Sequence, residues 1–174
     1  MPRFSYLIIA LLLPLFSVCQ PWKTFSDTSI AFTAKYPSNW ANKIKENKRV
    51  FFTSPSDGAS DDFYENVNVS VTQNASYGTQ VKIKDVIPAV LENLEKAFTE
   101  FKREGERYFK WNNADACEII YSGRNKTNTD YPLRMTQWFC FYKTRLYTVT
   151  FTALSNTNIH TATAKKIMNG ILFK

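Results

Sequence analysis

The 174-residue sequence carries 22 basic and 15 acidic residues, a formal charge of +7, with 44% hydrophobic and 16% aromatic content. That length suits one domain with an ample core, and the aromatic share favours a sheet with large core side chains over a helical bundle. The basic residues are interleaved with acids rather than gathered in a stripe, which argues against nucleic acid as a partner.

Residues 1–19 read as a signal peptide. Arg3 gives a positive start, Leu7 to Phe16 an apolar run broken only by Pro14, and Ser17-Val18-Cys19 the small residues before a cleavage site. The run is too short for a convincing transmembrane helix, and no other stretch approaches spanning length. The expected product begins at Gln20, is exported to the periplasm or the extracellular space, and consists of a single domain, 20–174. Cys19 admits an alternative, the acylated cysteine of a bacterial lipoprotein. Against it, Val18 stands where that motif wants Gly, Ala or Ser, and Leu is missing two places earlier.

Gln20 to Asp27 reads as a polar lead-in. Ile30, Phe32 and Ala34 then alternate with polar or small residues into a first strand that Tyr36-Pro37 ends, because proline cannot continue a ladder. The run Lys43-Ile-Lys-Glu-Asn-Lys-Arg49 is short, contains Glu46, and reads as a solvated loop. Arg49 to Thr53 is a second strand, stopped by Ser54-Pro-Ser-Asp-Gly58. The acidic stretch Asp57 to Glu65 invites a hard-cation reading, but its spacing does not match the EF-hand pattern, and a solvated hairpin loop is expected. Val67, Val69 and Val71 alternate with Asn68, Ser70 and Thr72, a third strand with one wet or lightly covered face.

A long amphipathic helix is expected from Asp85 as N-cap to about Arg103, its stripe formed by Ile87, Val90, Leu91, Leu94, Phe98 and Phe101. Pro88 falls in its first turn. Glu106 to Trp111 is a candidate strand, and Asn112 to Asp115 a turn. Three segments then read as an antiparallel meander: Ala116–Gly123, Leu133–Tyr142 and Arg145–Ala153. Ser155 to Asn158 offers an N-cap for a closing helix, Ile159 to Leu172. The order gives an α+β fold, an antiparallel sheet of about six strands flanked by helices.

The search for chemistry returns little. His160 is the sole histidine, which leaves no multi-histidine metal site and no imidazole relay, and Cys117 and Cys140 fall inside apolar strands. Nucleophile-elbow, phosphate-loop and dinucleotide patterns are absent. No catalytic, cofactor or metal residue is expected, and the chain is read as no enzyme. In an exported chain the two remaining cysteines invite a Cys117–Cys140 disulfide, which would contribute about 3 kcal/mol in the chain-entropy model. The hairpin register that sets them opposite each other also sets Ile119 opposite Trp138, whereas a one-residue slip would send them to opposite faces.

Ile30-Ala-Phe-Thr-Ala-Lys-Tyr-Pro-Ser-Asn-Trp40, the valine strand Asn66–Val71, one long helix, the meander and the closing helix together resemble the PsbP-like family. This fold is shared by an extrinsic photosystem II subunit and Ran-GTPase-binding import factors, and the Tyr-Pro-x-x-Trp cluster is its most specific carrier here. The resemblance implies an α-β-α sandwich and a non-enzymatic binding or assembly role. It carries over no photosynthetic partner and no metal motif. The leading expectation is therefore an exported monomeric module that binds a protein, with a membrane surface as one setting. The alternative is a carrier of small apolar or aromatic ligands in the cell envelope. Candidate partner contacts are Lys45, Lys48 and Arg49 in the basic run and the hairpin that begins at Arg124. A cavity among Trp111, Trp138, Tyr121, Phe139 and Phe141 would favour the carrier, and an approach of His160 to a Ser, Cys or acid would bear on a hydrolase.

Overall fold

Period-two runs of β-branched and aromatic residues make most of this chain a sheet. The computed structural model describes residues 20–27, 29–45, 49–74, 76 and 80–174, so the leader reading, Cys19 and Lys48 lie outside the described residues. In chain order the elements are β1 (Trp22–Ser26), β2 (Phe32–Pro37), β3 (Ala41–Lys45), β4 (Arg49–Thr53), β5 (Asn66–Gln73), α1 (Ile83–Ala97), β6 (Phe98–Trp111), β7 (Ala114–Asn125), β8 (Asn128–Tyr142), β9 (Arg145–Leu154), α2 (Thr161–Asn169) and β10 (Leu172–Phe173). A seven-stranded antiparallel sheet has the order β3-β4-β5-β9-β8-β7-β6, and β1-β2-β10 form a second, three-stranded sheet.

Alternation along the central strands sends side chains into two separate cores. On one face Trp138 and Cys140 of β8 join Val149 and Phe151 of β9, packed under Phe32 and Ala34 of β2 and Ala164, Ile167 and Met168 of α2. On the other face Phe139 and Phe141 join Cys117, Ile119 and Tyr121 of β7 beneath Ile83 and Ile87 of α1. The α-β-α sandwich is thus built around the meander, with the small sheet sharing a layer with α2.

The turns are set locally. Asn112 and Asn113, at φ 48° and 66°, make the two-residue β6–β7 turn that needs left-handed backbone at both positions. Gly123 sits at φ 153° opposite a bulge in β6, where Glu100 and Phe101 are unpaired. A Cβ there would stand 2.9 Å from the Thr99 carbonyl oxygen, so glycine is required.

Several sequence expectations change. The large sheet has seven strands, in keeping with the about six expected, and among the described residues a second sheet of three strands is added to it. The lead-in contains β1, which pairs with β2 and buries Phe25 opposite Ala34. Lys43 to Lys45 of the basic run lie in the edge strand β3, which is exposed at every position and so carries no buried alternation to betray it. The long helix begins at Ile83, where Asp85 at its third position accepts the Lys82 backbone N–H at 2.9 Å. Pro88 therefore stands beyond the first turn. The helix stops at Ala97, and the chain passes straight into β6. Phe98 and Phe101 nevertheless share a face, because the bulge between them shifts the strand's alternation; both rings pack on Tyr121, at 5.4 and 5.7 Å. Their three-residue spacing imitates a helical stripe. The closing helix is shorter than expected and releases Leu172 into β10.

The disulfide expectation is corrected as well. The register pairs Ala116 with Cys140 and Cys117 with Phe139, one residue away from the pairing a bridge needs. Cys117 consequently points into the α1-side core and Cys140 into the α2-side core, and both are free thiols.

Candidate binding surface

On the α1 side of the large sheet, rows of directly paired residues cross from edge to edge. One row runs Lys43, Phe51, Asn68, Thr150, Gln137, Ile119 and Glu106. Its neighbour contains the pairs Lys45–Arg49, Ser70–Thr148 and Phe139–Cys117. Directly paired residues share a face, so the row changes character along its length. It is apolar on β7 and part of β8, where α1 packs, and becomes amide and hydroxyl on β9 and β5 and basic on β3 and β4.

This polar half forms a shallow depression of about 230 Å³. Asn68, Ser70, Thr148 and Thr150 make its floor, Tyr121 and Phe98 its α1-side flank, and Arg49 its far rim. A hydrogen-bond chain holds the floor: Gln137 Nε2 donates to Thr150 Oγ1 at 2.9 Å, Tyr121 OH to Gln137 Oε1 at 3.4 Å, and Asn68 Nδ2 to the Thr150 carbonyl at 3.4 Å. Burial pushes the Tyr121 hydroxyl well above its ordinary range, so it stays a neutral donor. The floor is rigid because it stands on strands, and its groups suit a polar main chain or polar side chains.

Of the expected contacts, Lys45 and Arg49 are brought together as a directly opposed pair, with the Lys45 ammonium 4.6 Å from the Phe51 ring centroid. Arg124 is not brought to them. It lies on β7, four strands from β4 and so about 19 Å across the sheet, with its guanidinium 3.8 Å from Glu100. The sequence reading missed the floor itself. Its signal was present in the polar alternation of Asn68, Ser70 and Thr72 and of Thr148, Thr150 and Thr152. What alternation cannot tell is that β5 and β9 are neighbours, which merges two wet faces into one surface.

The five aromatic residues offered as carrier lining are core. Trp111 and Trp138 pack edge to face at 5.2 Å, and Tyr121, Phe139 and Phe141 are buried under α1. A cleft of about 590 Å³, which of these five only Phe141 reaches, lies at the start of α1 beside the β6–β7 hairpin. Ile83, Tyr108 and Phe141 line it with Lys82, Lys84 and Lys110, the last paired to Asp115 at 2.7 Å.

On the opposite side of the sheet, His160 at the N-cap of α2 does approach an acid: its Nε2 lies 3.1 Å from Asp57 Oδ1. The nearby Ser54 is buried and donates its hydroxyl toward Glu65 at 3.4 Å rather than toward the imidazole, which is not a serine–histidine arrangement.

No family model and no curated protein sequence matches the chain. Solved structures do match it in shape. A Pseudomonas aeruginosa protein of unknown function superposes with a TM-score of 0.63 at 18% identity, covering 88% of this chain and 97% of that one. Cyanobacterial PsbP from Synechocystis gives 0.59 at 11% identity over 93% and 97% of the two chains. The Saccharomyces cerevisiae Ran-binding protein Mog1p gives 0.58 at 8% identity over 88% and 96%. The chain has the fold of PsbP and Mog1p.

Proposed function

We propose that this chain of PsbP and Mog1p fold is a binding module that acts by contact, seating a protein partner on the open polar half of its large sheet. The observation that carries the reading is the hydrogen-bonded floor of Asn68, Ser70, Thr148 and Thr150, bounded by the basic edge of Lys43, Lys45 and Arg49. A positive rim selects an acidic segment and speeds encounter, while the floor supplies the hydrogen bonds that fix its register. That a protein of the same fold, Mog1p, is a Ran-binding protein supports a macromolecular partner. The reading includes no catalytic step. It places the module outside the cytoplasm on the strength of residues 1–19, as a monomer, with a membrane surface as one setting. Intact-mass measurement of protein from the native host tests the export clause: a chain starting at Gln20 is expected, and a diacylglycerol adduct on Cys19 would replace it with the lipoprotein alternative.

The surface is tested by filling it. Ser70→Tyr puts a ring into the depression from a half-buried position outside both cores. Capture of the native-host partner is expected to fall at least tenfold, with Tm moving by about 2 °C or less, as for substitutions away from the core. Undiminished capture would remove the depression from the account.

The carrier reading retains one specific observation, the lysine-rimmed cleft beside α1, which fits a small apolar anion. Saturable binding of such a probe, lost in Lys82→Glu/Lys84→Glu, would favour it.

A further inference from the structure

The sequence set aside the acidic stretch after β4 as a solvated loop and His160 as an isolated imidazole. The fold brings them together. One ligand atom from each of Asp57, Glu65 and His160 lies within 4.8 Å of the others. We infer that these three side chains form a binding site for one divalent first-row transition metal ion, of which Zn²⁺ fits best.

Three features set the trio apart from an acidic surface patch. Glu65 is 4% exposed, and it has no lysine or arginine partner among the described residues; its one side-chain hydrogen bond is the long one from Ser54. A carboxylate taken out of water without a cation is costly, and a bound ion at this position would remove that cost. The 3.1 Å between His160 Nε2 and Asp57 Oδ1 is also the separation of adjacent ligands on one ion, about 3.0–3.4 Å for ligand bonds near 2.1 Å. The imidazole side chain is 12% exposed and is oriented by Trp40, whose ring meets it edge to face at 5.5 Å. Trp40 is the tryptophan of the Tyr-Pro-x-x-Trp cluster.

The ligands are held from three directions. Glu65 is fixed at the neck of the loop, where its carbonyl accepts the Ser54 N–H at 2.8 Å. Asp57 sits in the loop, its own N–H bound to Asp61 Oδ2 at 2.8 Å. His160 is placed by the start of α2. Two carboxylates neutralise a divalent charge, the imidazole disfavours Mg²⁺ and Ca²⁺, and the lack of a thiolate disfavours Cu(I). With three protein ligands the ion keeps at least one position for water or an outside donor. Such an ion would clip the β4–β5 loop to α2, on the side of the sheet away from the proposed binding surface.

The test is calorimetric titration of ZnCl₂ into the tag-free full chain after EDTA stripping, repeated with Asp57→Asn, Glu65→Gln and His160→Gln and with CaCl₂ in place of zinc. One zinc per chain is expected, with affinity at least tenfold weaker in each variant and calcium weaker than zinc. Zinc should raise the Tm of the parent chain, and the variants should lose that rise. Asp57 lies on an exposed loop, so Asp57→Asn keeps its circular dichroism and its metal-free Tm and decides the matter should Glu65→Gln fail to fold. Absence of saturable one-to-one binding, parental affinity in Asp57→Asn or His160→Gln, or calcium binding tighter than zinc would overturn the site.

Discussion

Cys117 and Cys140 lie on adjacent strands yet answer to different cores, and burial pushes their thiols up to about 11 and about 12. Both should therefore resist alkylation at pH 8 in the folded chain, where the thiolate fraction is small and access is closed. Thiol titration of denatured, unreduced protein should return both of them free. Glu118 is the other informative residue. It is 6% exposed on the α2 side, accepting Trp138 Nε1 at 2.6 Å and Arg107 Nε at 2.5 Å. Burial acts to raise its pKa, but the Arg107 guanidinium and the Trp138 indole outweigh it and hold the carboxyl below its ordinary value. A depressed folded-state pKa contributes stability above the unfolded value, about 4.3 for glutamate, and loses it as pH falls through the folded value. Glu118→Gln should cost roughly 1–3 kcal/mol at pH 7, and its Tm should fall less steeply than the parent's between pH 5 and pH 3. Parallel profiles would show that Glu118 does not set the acid limb.

At the scale of elements, the β6–β7 hairpin depends on Gly123. Gly123→Ala forces a Cβ toward the Thr99 carbonyl oxygen in a backbone conformation that L residues rarely adopt. A loss of roughly 1–3 kcal/mol is expected, read as a drop in Tm; an unchanged Tm would mean that the bulge relaxes freely. The same hairpin shows where sequence reading reaches and where it stops. Strands with strong alternation, such as Val67 to Val71 and Tyr147 to Ala153, were legible because a buried face leaves a period-two record. β3 left none, being exposed throughout. Phe98 and Phe101 misled because a bulge gives a strand the three-residue spacing of a helix. The disulfide register could not be read, since both alignments of β7 on β8 pack apolar residues and the pairing is off by one. The candidate surface was half legible: wet faces on two strands were visible, and their adjacency was not. Glu65, His160 and Asp57 were each seen, but His160 lies 95 and 103 positions from Glu65 and Asp57, and only the fold joins it to them.

For the whole molecule, the account divides the large sheet into a half roofed by α1 and a half left polar beneath a basic edge, and assigns recognition to the second. Lys45 and Arg49 are exposed on that edge, and exposed charges contribute little to folding. The most direct measurement is quantitative capture of the native-host partner by the parent chain and by two charge-reversed variants, at matched Tm and low salt. Lys45→Glu/Arg49→Glu addresses the sheet edge, and Lys82→Glu/Lys84→Glu the cleft at the start of α1. The account predicts at least a tenfold loss for the first variant and parental capture for the second. Loss confined to the second, or parental capture by both, would contradict it.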